Sequence, residues 1–348
     1  MFRLTDVQPG GTVANLYVHF PFCRRKCSYC ALYSRAGVSQ ADRDAYVRRL
    51  AVEIGARCLT PRASLKTVYF GGGSPALCDL SGLVSLVRPL CGDETEFTVE
   101  LHPLDVTEAK LQELKDLGVN RISMGVQSLD DAVLADMGRG YTVDEAERAF
   151  SRVRDCFGNA GIDLIVGYPG DELGKGGGGG RWNLQRLADW GLKHCSVYSL
   201  QNDRGLKNVP DDDAVLDRVR QIAGCLESMG LERYEISNYA VSGYECRHNL
   251  AVWRGEDYLG LGDGACGRIG LKRTKFDREE TVSPEFDEKE RRLFRLRTRE
   301  GLDASNHPDW QSPLERSRRE GLLTKSGSVY FLTDRGREVC DSILAELV

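Results

Sequence analysis

The sequence predicts an α/β fold: an incomplete (β/α)6 barrel followed by a small α+β unit with a winged-helix-like pattern, in a chain of 348 residues. Two observations predict it. Short apolar runs rich in β-branched and aromatic residues alternate with amphipathic segments of helical period, which is typical of βαβ units around a parallel sheet. Unusual polar and glycine motifs directly follow several of these runs, where barrels place their binding residues.

Six apolar runs are the candidate barrel strands, and five amphipathic segments are the candidate helices between them. The strands are Leu16–Phe20, Thr67–Phe70, Phe97–Leu101, Arg121–Val126, Ile162–Val166 and Cys195–Leu200. The helices are Ala41–Cys58, Leu80–Leu90, Thr107–Leu117, Val143–Val153 and Leu184–Trp190.

The chain changes in character after the sixth strand. We expect a helix over Asp211–Met229 and an extended segment over Tyr234–Tyr239. The tail Leu314–Val348 predicts a helix, two short strands at Leu322–Leu323 and Val329–Leu332, and a final helix. These patterns divide the chain into a barrel domain over 1–255, a glycine-rich connection over 256–280 and a C-terminal domain over 281–348. Five consecutive glycines, Gly176–Gly180, predict a flexible linker rather than a phosphate-binding loop.

Composition excludes several classes of protein. The net charge of −5 gives no sign of the basic stripe that a nucleic-acid-binding protein needs, so no nucleic-acid partner is expected. No apolar run approaches the roughly 20 residues of a membrane span, and the N-terminus lacks the apolar region of a signal peptide. The sequence therefore predicts a protein of the reducing cytoplasm without a membrane span.

Three cysteines, Cys23, Cys27 and Cys30, follow the first strand in the spacing C-x3-C-x2-C. Cysteine thiolates are the usual ligands of iron–sulfur clusters, and three of them leave one iron of a 4Fe-4S cluster open. A disulfide framework is disfavoured by the chain length and by the absence of a secretory signal. A structural zinc site would show a second C-x2-C pair. We therefore expect a 4Fe-4S cluster, and the other nine cysteines are expected to be mostly buried, reduced thiols.

The segment Tyr17 to Cys30 resembles the radical S-adenosylmethionine superfamily. Within it, the segment is similar to the anaerobic coproporphyrinogen III oxidases and the related HemW-type heme chaperones. The resemblance covers about residues 14–270. It implies a radical S-adenosylmethionine barrel, a 4Fe-4S cluster and S-adenosylmethionine as cofactors, and an electron donor such as flavodoxin or ferredoxin.

The resemblance also implies which residues bind S-adenosylmethionine. Phe70-Gly71-Gly72-Gly73-Ser74-Pro75 matches the motif for the methionine amino group, with backbone contacts from Gly72, Gly73 and Ser74. The other implied contacts lie on the strands or close after their ends, and they are Tyr17, Glu100, Gln127, Arg139 and Asp163. Each of these side chains alone would also suit an ordinary surface or strand-capping position.

Two features favour the HemW-type branch over the oxidases. Leu32 stands where the oxidases typically carry a further cysteine, in Cys30-Ala31-Leu32. Only 22 residues precede Cys23, fewer than the N-terminal segment of the oxidases.

A third feature is His248-Asn249-Leu250-Ala251-Val252-Trp253, which resembles the HNxxYW heme motif of HemW-type proteins, with Val252 in place of the tyrosine. The resemblance implies heme as a further ligand, His248 as an axial iron ligand and Trp253 against the porphyrin face. From the residues alone, a buried, hydrogen-bonded histidine is the alternative. Cys266, in a glycine-rich stretch, is interpreted as a core residue rather than a ligand.

These features lead to a main hypothesis and two alternatives. The main hypothesis is a heme chaperone that binds heme and delivers it to an acceptor protein. One alternative is an oxygen-independent coproporphyrinogen III oxidase, which decarboxylates two propionate side chains. The other is a radical methylase or cyclopropanase, for which the sequence has no feature of its own.

Overall fold

The protein is described by a computed structural model that covers residues 13–57, 64–171, 184–275 and 278–348. The glycine run Gly176–Gly180 and the predicted helix end at Cys58 lie outside these described residues.

The strands in the described ranges are β1 Asn15–Phe20, β2 Phe22–Cys23, β3 Arg35–Ala36, β4 Leu65–Gly72, β5 Cys91–Leu101, β6 Arg121–Gln127, β7 Asn159–Val166, β8 His194–Ser199, β9 Glu232–Arg233, β10 Asn238–Ala240, β11 Leu259–Leu261, β12 Cys266–Ile269, β13 Lys272–Lys275, β14 Arg278–Thr281, β15 Leu302–Asp303, β16 Leu323–Ser326 and β17 Val329–Leu332. The α-helices are α1 Gln40–Arg57, α2 Ser81–Val87, α3 Glu108–Asp116, α4 Asp131–Met137, α5 Val143–Cys156, α6 Leu184–Asp189, α7 Asp212–Ser228, α8 Arg247–Trp253, α9 Pro284–Arg295, α10 Gln311–Arg319, α11 Asp334–Glu338 and α12 Cys340–Ala345.

All six predicted barrel strands form, and they lie side by side in chain order as β1, β4, β5, β6, β7 and β8. Every neighbouring pair among them is parallel. The sheet ends in β11 on one side and in the β9–β10 hairpin on the other, so the barrel stays open. The predicted α/β fold with an incomplete six-stranded barrel is thus confirmed.

Each barrel strand presents apolar side chains to the surrounding helices and polar ones to the barrel interior. On β5, Phe97, Val99 and Leu101 are buried in the main apolar core. Glu96 and Glu100 occupy alternate positions on the same strand, and side chains alternate between the two faces of a strand. This alternation gives a barrel with an apolar outer shell and a polar interior.

Helix α5 shows how the local sequence fixes an element of the outer shell. Its N-cap Thr142 accepts a hydrogen bond from the backbone of Glu145, and the Glu145 side chain bonds back to the Thr142 backbone. This capping box satisfies two backbone donors at the start of the helix. The apolar stripe of α5, including Phe150 and Val153, is buried against the sheet core.

Two edge elements were not predicted correctly. Strand β11 pairs in parallel with β1, although the sequence indicated only a glycine-rich apolar connection there. The single extended segment predicted over Tyr234–Tyr239 is instead a hairpin, because β9 ends at Arg233 and β10 begins at Asn238. Local side-chain bonds hold this turn, since the Glu235 carboxylate accepts from the Ser237 backbone at 3.2 Å and from the Asn238 amide.

The C-terminal segment packs around an apolar cluster of its own, which includes Trp310, Leu314 and Tyr330. The predicted helix–strand–strand–helix pattern is present, with β15 as an additional strand and with the last helix divided into α11 and α12. The domain boundaries at 255 and 280 remain a prediction, and β11, beyond the first of them, belongs to the barrel sheet.

Candidate functional site

The three motif cysteines lie in one loop directly after β1, and all three are partly exposed free thiols. Cys23 belongs to the small strand β2, and the backbone N–H of Cys30 donates to the Cys27 carbonyl at 3.3 Å. Burial raises the pKa of the Cys23 thiol, and the nearby Cys30 and Cys27 thiols act in the same direction. The three sulfurs therefore lie close enough to influence one another.

His19, which the sequence analysis did not single out, ties this loop to the barrel. Its buried ring donates from Nε2 to the Tyr33 carbonyl at 2.9 Å, because a carbonyl can only accept. Neutral His19 then accepts at Nδ1 from the Tyr17 hydroxyl, also at 2.9 Å. Tyr17, a predicted cofactor contact, is thereby oriented by the loop that carries the cysteines.

The glycine motif after β4 is required for close packing between β4 and the cysteine loop. A Cβ atom on Gly72 would lie 2.4 Å from the His19 ring, and one on Gly73 would lie 2.4 Å from the Phe22 carbonyl oxygen. Gly72 also has φ +107°, which disfavours other residues. The glycines are therefore needed because β1 and the cysteine loop pack closely against them. The motif alone did not indicate this requirement.

Ser74, the third predicted backbone contact, is also joined to the cysteine loop. Its buried hydroxyl donates to the Asp105 carboxylate, and Arg24 of the loop donates from Nε to the same carboxylate at 2.5 Å. The glycine motif, the segment after β5 and the cysteine loop are therefore held in a fixed arrangement.

Two carboxylates face the barrel interior from β5 and β7. Glu100 accepts from the Gly72 backbone at 2.9 Å and from the Tyr69 hydroxyl at 2.8 Å. Burial, and after it the Asp163 carboxylate, raises the pKa of Glu100 to about 7. Asp163 itself accepts from the Ser123 hydroxyl at 3.0 Å. Two neighbouring acids with few cationic partners suit a positively charged ligand.

Gln127 and Arg139 complete this end of the barrel. Gln127 has φ +76° where the pairing of β6 with β7 shifts register, a strained backbone that clusters at functional sites. The buried Arg139 donates to the Gly125 carbonyl at 2.6 Å and to the Cys27 sulfur at 3.5 Å. All of the predicted S-adenosylmethionine contacts thus lie in the barrel interior or around its cysteine-bearing mouth.

A second polar cluster lies toward the amino ends of the strands, and the sequence analysis missed it. Arg121, at the start of β6, is 1% exposed, and its buried Nε has no hydrogen-bond partner in the described part of the chain. Although burial opposes it, the Cys246 thiol and then the Glu96 carboxylate raise the pKa of Arg121. The sequence signal that could have indicated this cluster is a pair of polar residues, Arg121 and His194, at the starts of strands β6 and β8.

Helix α8, which carries the predicted heme motif, lies across this second cluster. The Glu96 carboxylate accepts from the backbone N–H groups of Arg247 and His248, each at 3.0 Å, and so caps the helix. The His248 ring is 4% exposed, with its centroid 5.2 Å from that of Tyr69. Burial, and in addition the Arg121 charge, lowers the pKa of His248 to about 3, so the ring is neutral.

Trp253, at the other end of α8, faces away from the barrel. Its ring packs edge-on against Phe294 at 5.7 Å and under the Arg297 guanidinium at 5.1 Å from the ring centroid. The two predicted heme residues therefore contact different parts of the molecule, His248 the barrel and Trp253 helix α9 and the segment after it. Their roles remain predictions.

Known proteins resemble this chain over nearly its whole length. Residues 17–174 match the family model for the radical SAM superfamily. The heme chaperone HemW of Bacillus subtilis is 30% identical, over 95% of this chain and 99% of the relative. The heme chaperone HemW of Escherichia coli is 35% identical, over 73% of this chain and 70% of the relative. The chain belongs to the HemW family of radical S-adenosylmethionine proteins.

The fold is similar to that of an oxidase whose structure has been solved. Coproporphyrinogen III oxidase (HemN) from Escherichia coli superposes with a TM-score of 0.82, over 97% of this chain and 90% of that one, at 20% identity. At that identity the likeness shows the fold alone. The predicted superfamily and the predicted branch are both confirmed, and the superfamily implies a 4Fe-4S cluster and S-adenosylmethionine.

The residues of the cysteine loop fit such a cluster. Within the described residues, no three His, Cys, Asp or Glu side chains converge as they would around a single metal ion. The ligands of a four-iron cluster bind different irons and stand farther apart than those of one ion. Three free thiols in one loop, with the Cys27 sulfur 3.5 Å from the buried Arg139, agree with that wider arrangement.

A search of the described helices for membrane spans found none of sufficient length and apolar character.

Proposed function

We propose that this protein is a heme chaperone of the HemW type, which binds heme and passes it to an acceptor protein in the reducing cytoplasm. The observation that carries the proposal is the hydrogen bonding of His248, which places the ring proton on Nδ1 and leaves Nε2 free to bind iron.

That state follows from a chain of three hydrogen bonds. Asn15 donates from its amide nitrogen to the Asp257 carbonyl at 3.0 Å, which orients its amide oxygen toward Thr67. The Thr67 hydroxyl donates to that oxygen at 2.9 Å. The Thr67 oxygen can then only accept from His248 Nδ1, at 2.8 Å. Neutral His248 thus carries its proton on Nδ1 and keeps the lone pair on Nε2, the usual arrangement of a ligating histidine.

Access to this nitrogen requires movement of α8. The ring of His248 is buried between β4 and the barrel interior, so iron reaches Nε2 only when the helix leaves the sheet. The helix is short, at seven residues, and Glu96 holds its amino end. Heme binding therefore exchanges the Glu96 cap for iron ligation at Nε2, while the ring proton stays on Nδ1.

The opposite end of the barrel holds the cofactors in this proposal. Cys23, Cys27 and Cys30 would hold the 4Fe-4S cluster, whose chemistry would be one-electron reduction of S-adenosylmethionine with a flavodoxin or ferredoxin as the electron donor. The cofactor is bound by Tyr17, Gly72, Gly73, Ser74, Glu100, Gln127, Arg139 and Asp163. The paired acids Glu100 and Asp163 stabilise the positive charge of the bound cofactor.

The test is a hemin titration of the cluster-loaded protein under anaerobic conditions. We expect His248→Ala to weaken hemin binding by about tenfold or more and to remove the Soret shift of histidine-ligated iron. His102→Ala, a histidine near the cofactor end, serves as the matched control and should bind as the wild type does. Unchanged binding in His248→Ala would contradict the assignment of the ligand.

A parallel assay addresses the oxidase alternative. The same protein is supplied with S-adenosylmethionine, a reductant and coproporphyrinogen III, and products are measured by mass spectrometry. We expect no decarboxylated product, in agreement with the exposed Leu32 in place of a further cysteine. Formation of protoporphyrinogen IX would replace the chaperone proposal by the oxidase.

A further inference from the structure

Four arginines line a cavity of about 110 Å³ between the β9–β10 hairpin and the C-terminal segment. We call it the four-arginine pocket, after Arg233, Arg297, Arg299 and Arg337. The two regions are joined there, because Glu235 forms an isolated β-bridge with Thr298. The pocket is therefore part of the packed structure rather than a surface groove.

The charge inside the pocket is strongly positive. One acidic side chain, Glu235, lines it beside the four guanidinium groups. This carboxylate is 3% exposed and is already used by the Ser237 backbone and the Asn238 amide. Burial raises the pKa of Glu235.

Among the four pocket arginines, Arg233 has the positive charge that is least neutralised by acidic side chains. In the part of the chain that the structure describes, no carboxylate oxygen lies within 4.0 Å of its guanidinium, and its hydrogen bonds go to the Ile236 carbonyl, at 3.0 Å from Nε. Burial lowers the pKa of Arg233, and the Arg337 charge acts in the same direction. Arg297 adds a buried Nε that has no hydrogen-bond partner among the described residues.

Arg299 is already paired with the half-buried Glu245 at 2.6 Å, but the partners of Arg297 and Arg337 are weak competitors for an incoming anion. Arg337 pairs with Asp334, whose side chain is 89% exposed, and Arg297 pairs with Asp341, whose side chain is 83% exposed. Ion pairs with such exposed acids are weak because water screens them. Both guanidinium groups can therefore turn to a buried anion.

The pocket contacts both ends of α8. Tyr234 lines the pocket, and its hydroxyl, which also bonds to His194, accepts from the backbone N–H of Cys246, the N-cap residue of α8, at 3.1 Å. At the other end, the Arg297 guanidinium covers the ring of Trp253. The pocket is thus adjacent to the helix that carries His248.

We propose that the four-arginine pocket binds a carboxylate of the tetrapyrrole, namely a propionate side chain of heme. This inference rests on the proposed heme-binding function and adds a second contact between the protein and heme, besides that of His248 with the iron. A cavity of roughly 150 Å³ takes up benzene, so the space here suits a propionate and excludes the macrocycle. The planar guanidinium fork pairs with carboxylates through two parallel hydrogen bonds.

The test compares hemin with its dimethyl ester, in which both propionates are blocked, on the cluster-loaded full chain. We expect Arg233→Gln and Arg337→Gln each to weaken hemin binding by about tenfold. We expect the wild type to bind the ester as weakly as the two variants bind hemin. Neither substitution should change the affinity for the ester. Arg335→Gln, on the same helix as Arg337 but exposed and outside the pocket, should leave hemin binding unchanged.

The possible outcomes separate this inference from the proposed function. Equal affinity of the wild type for hemin and for the ester, or equal losses for both ligands in the variants, overturns the propionate assignment alone. No binding of hemin by the wild type overturns both proposals. Thermal stabilisation by succinate or inorganic phosphate that depends on Arg233, with hemin binding unaffected, would assign the pocket to a free anion and reject heme. Arg337→Gln keeps the test valid if Arg233→Gln unfolds the hairpin.

Discussion

The two ends of the barrel are built in different ways. The cysteine-bearing end is assembled from short motifs that directly follow strands, and its acids and glycines surround a space for cofactors. The opposite end is closed by α8, which follows the last parallel strand of the predicted barrel by about 50 residues of sequence. There the buried charge of Arg121 faces Glu96, which also caps the helix. The cysteine-bearing end is thus already shaped for its cofactors, whereas the end closed by α8 must open before a ligand can bind.

The largest expected effect is at the cysteine end. Cys27→Ser should abolish cluster binding, reducing the iron content of reconstituted protein from about four per chain to near zero, because three thiolates are the whole protein ligand set. The fold should persist, since Cys27 lies in a partly exposed loop. Iron analysis and circular dichroism check both points. Cys156→Ser is the control, and retention of a full cluster by Cys27→Ser would contradict the assignment.

At the closed end the largest expected effect is on stability. Glu96→Ala should lower the free energy of unfolding by about 3 kcal/mol, because it leaves Arg121 buried without its acid and the amides of α8 without their acceptor. Chemical denaturation measures the loss. The control is Glu94→Ala, an exposed neighbour on the same strand. Equal stability of the two variants would show that the closed end does not depend on this pair.

The pH dependence of stability should distinguish the two ends as well. The pKa of Glu100 in the folded protein is about 7, above its ordinary value of 4.5, so the folded state binds this proton more tightly than the unfolded state. Stability should therefore fall by about 2 kcal/mol as the pH rises from 5.5 to 7, at about 1.4 kcal/mol per pH unit, and then level off. Glu100→Gln should lack this slope when unfolding is measured from pH 5.5 to 8 without S-adenosylmethionine.

The exposed Glu108→Gln is the control for that measurement and should keep the wild-type slope. If Glu100→Gln retained the full slope as well, the titrating group would have to lie elsewhere in the barrel.

The smallest expected effect lies where the two ends meet. Tyr69→Phe removes the hydroxyl that donates to Glu100 but keeps the ring that packs on His248. We expect affinity for S-adenosylmethionine to fall by about fivefold, since a hydrogen bond contributes about 1 kcal/mol, with hemin binding unchanged. Calorimetric titrations of both ligands check this, with Tyr244→Phe as the control. A parallel loss of hemin affinity would mean that the two ends are coupled through Tyr69.

The strands and motifs of the cysteine end could be located from the sequence because each of them is local. Strand, turn and candidate ligand residues stand within a few positions of one another at Cys23–Cys30 and at Gly71–Ser74, and the resemblance to a known family then implied their roles. The packing that requires these glycines could not be predicted from the sequence, because the contact of Gly72 with His19 depends on the pairing of β4 with β1.

At the closed end, His248 was singled out, but the polar cluster around Arg121 and Glu96 was missed because its contacts are non-local. Glu96 and His248 are 152 positions apart, and neither residue carries a local signal of the other. Likewise, β11 is a run of three residues, too short for its period to be recognised, and only its neighbour β1 makes it a strand. Arg121 and His194, polar residues at the starts of two strands, were the available signs of a polar interior at this end.

The pairing of β11 with β1 has a consequence for biosynthesis. The strand that leads into the cysteine loop lies between β4 and β11, and its register with β11 runs from Leu16–Leu259 to Val18–Leu261. A chain emerging from the ribosome keeps one edge of β1 unpaired until residue 261 has been synthesised. The strand that leads into the cysteine loop therefore gains its second neighbour only after most of the chain has been synthesised.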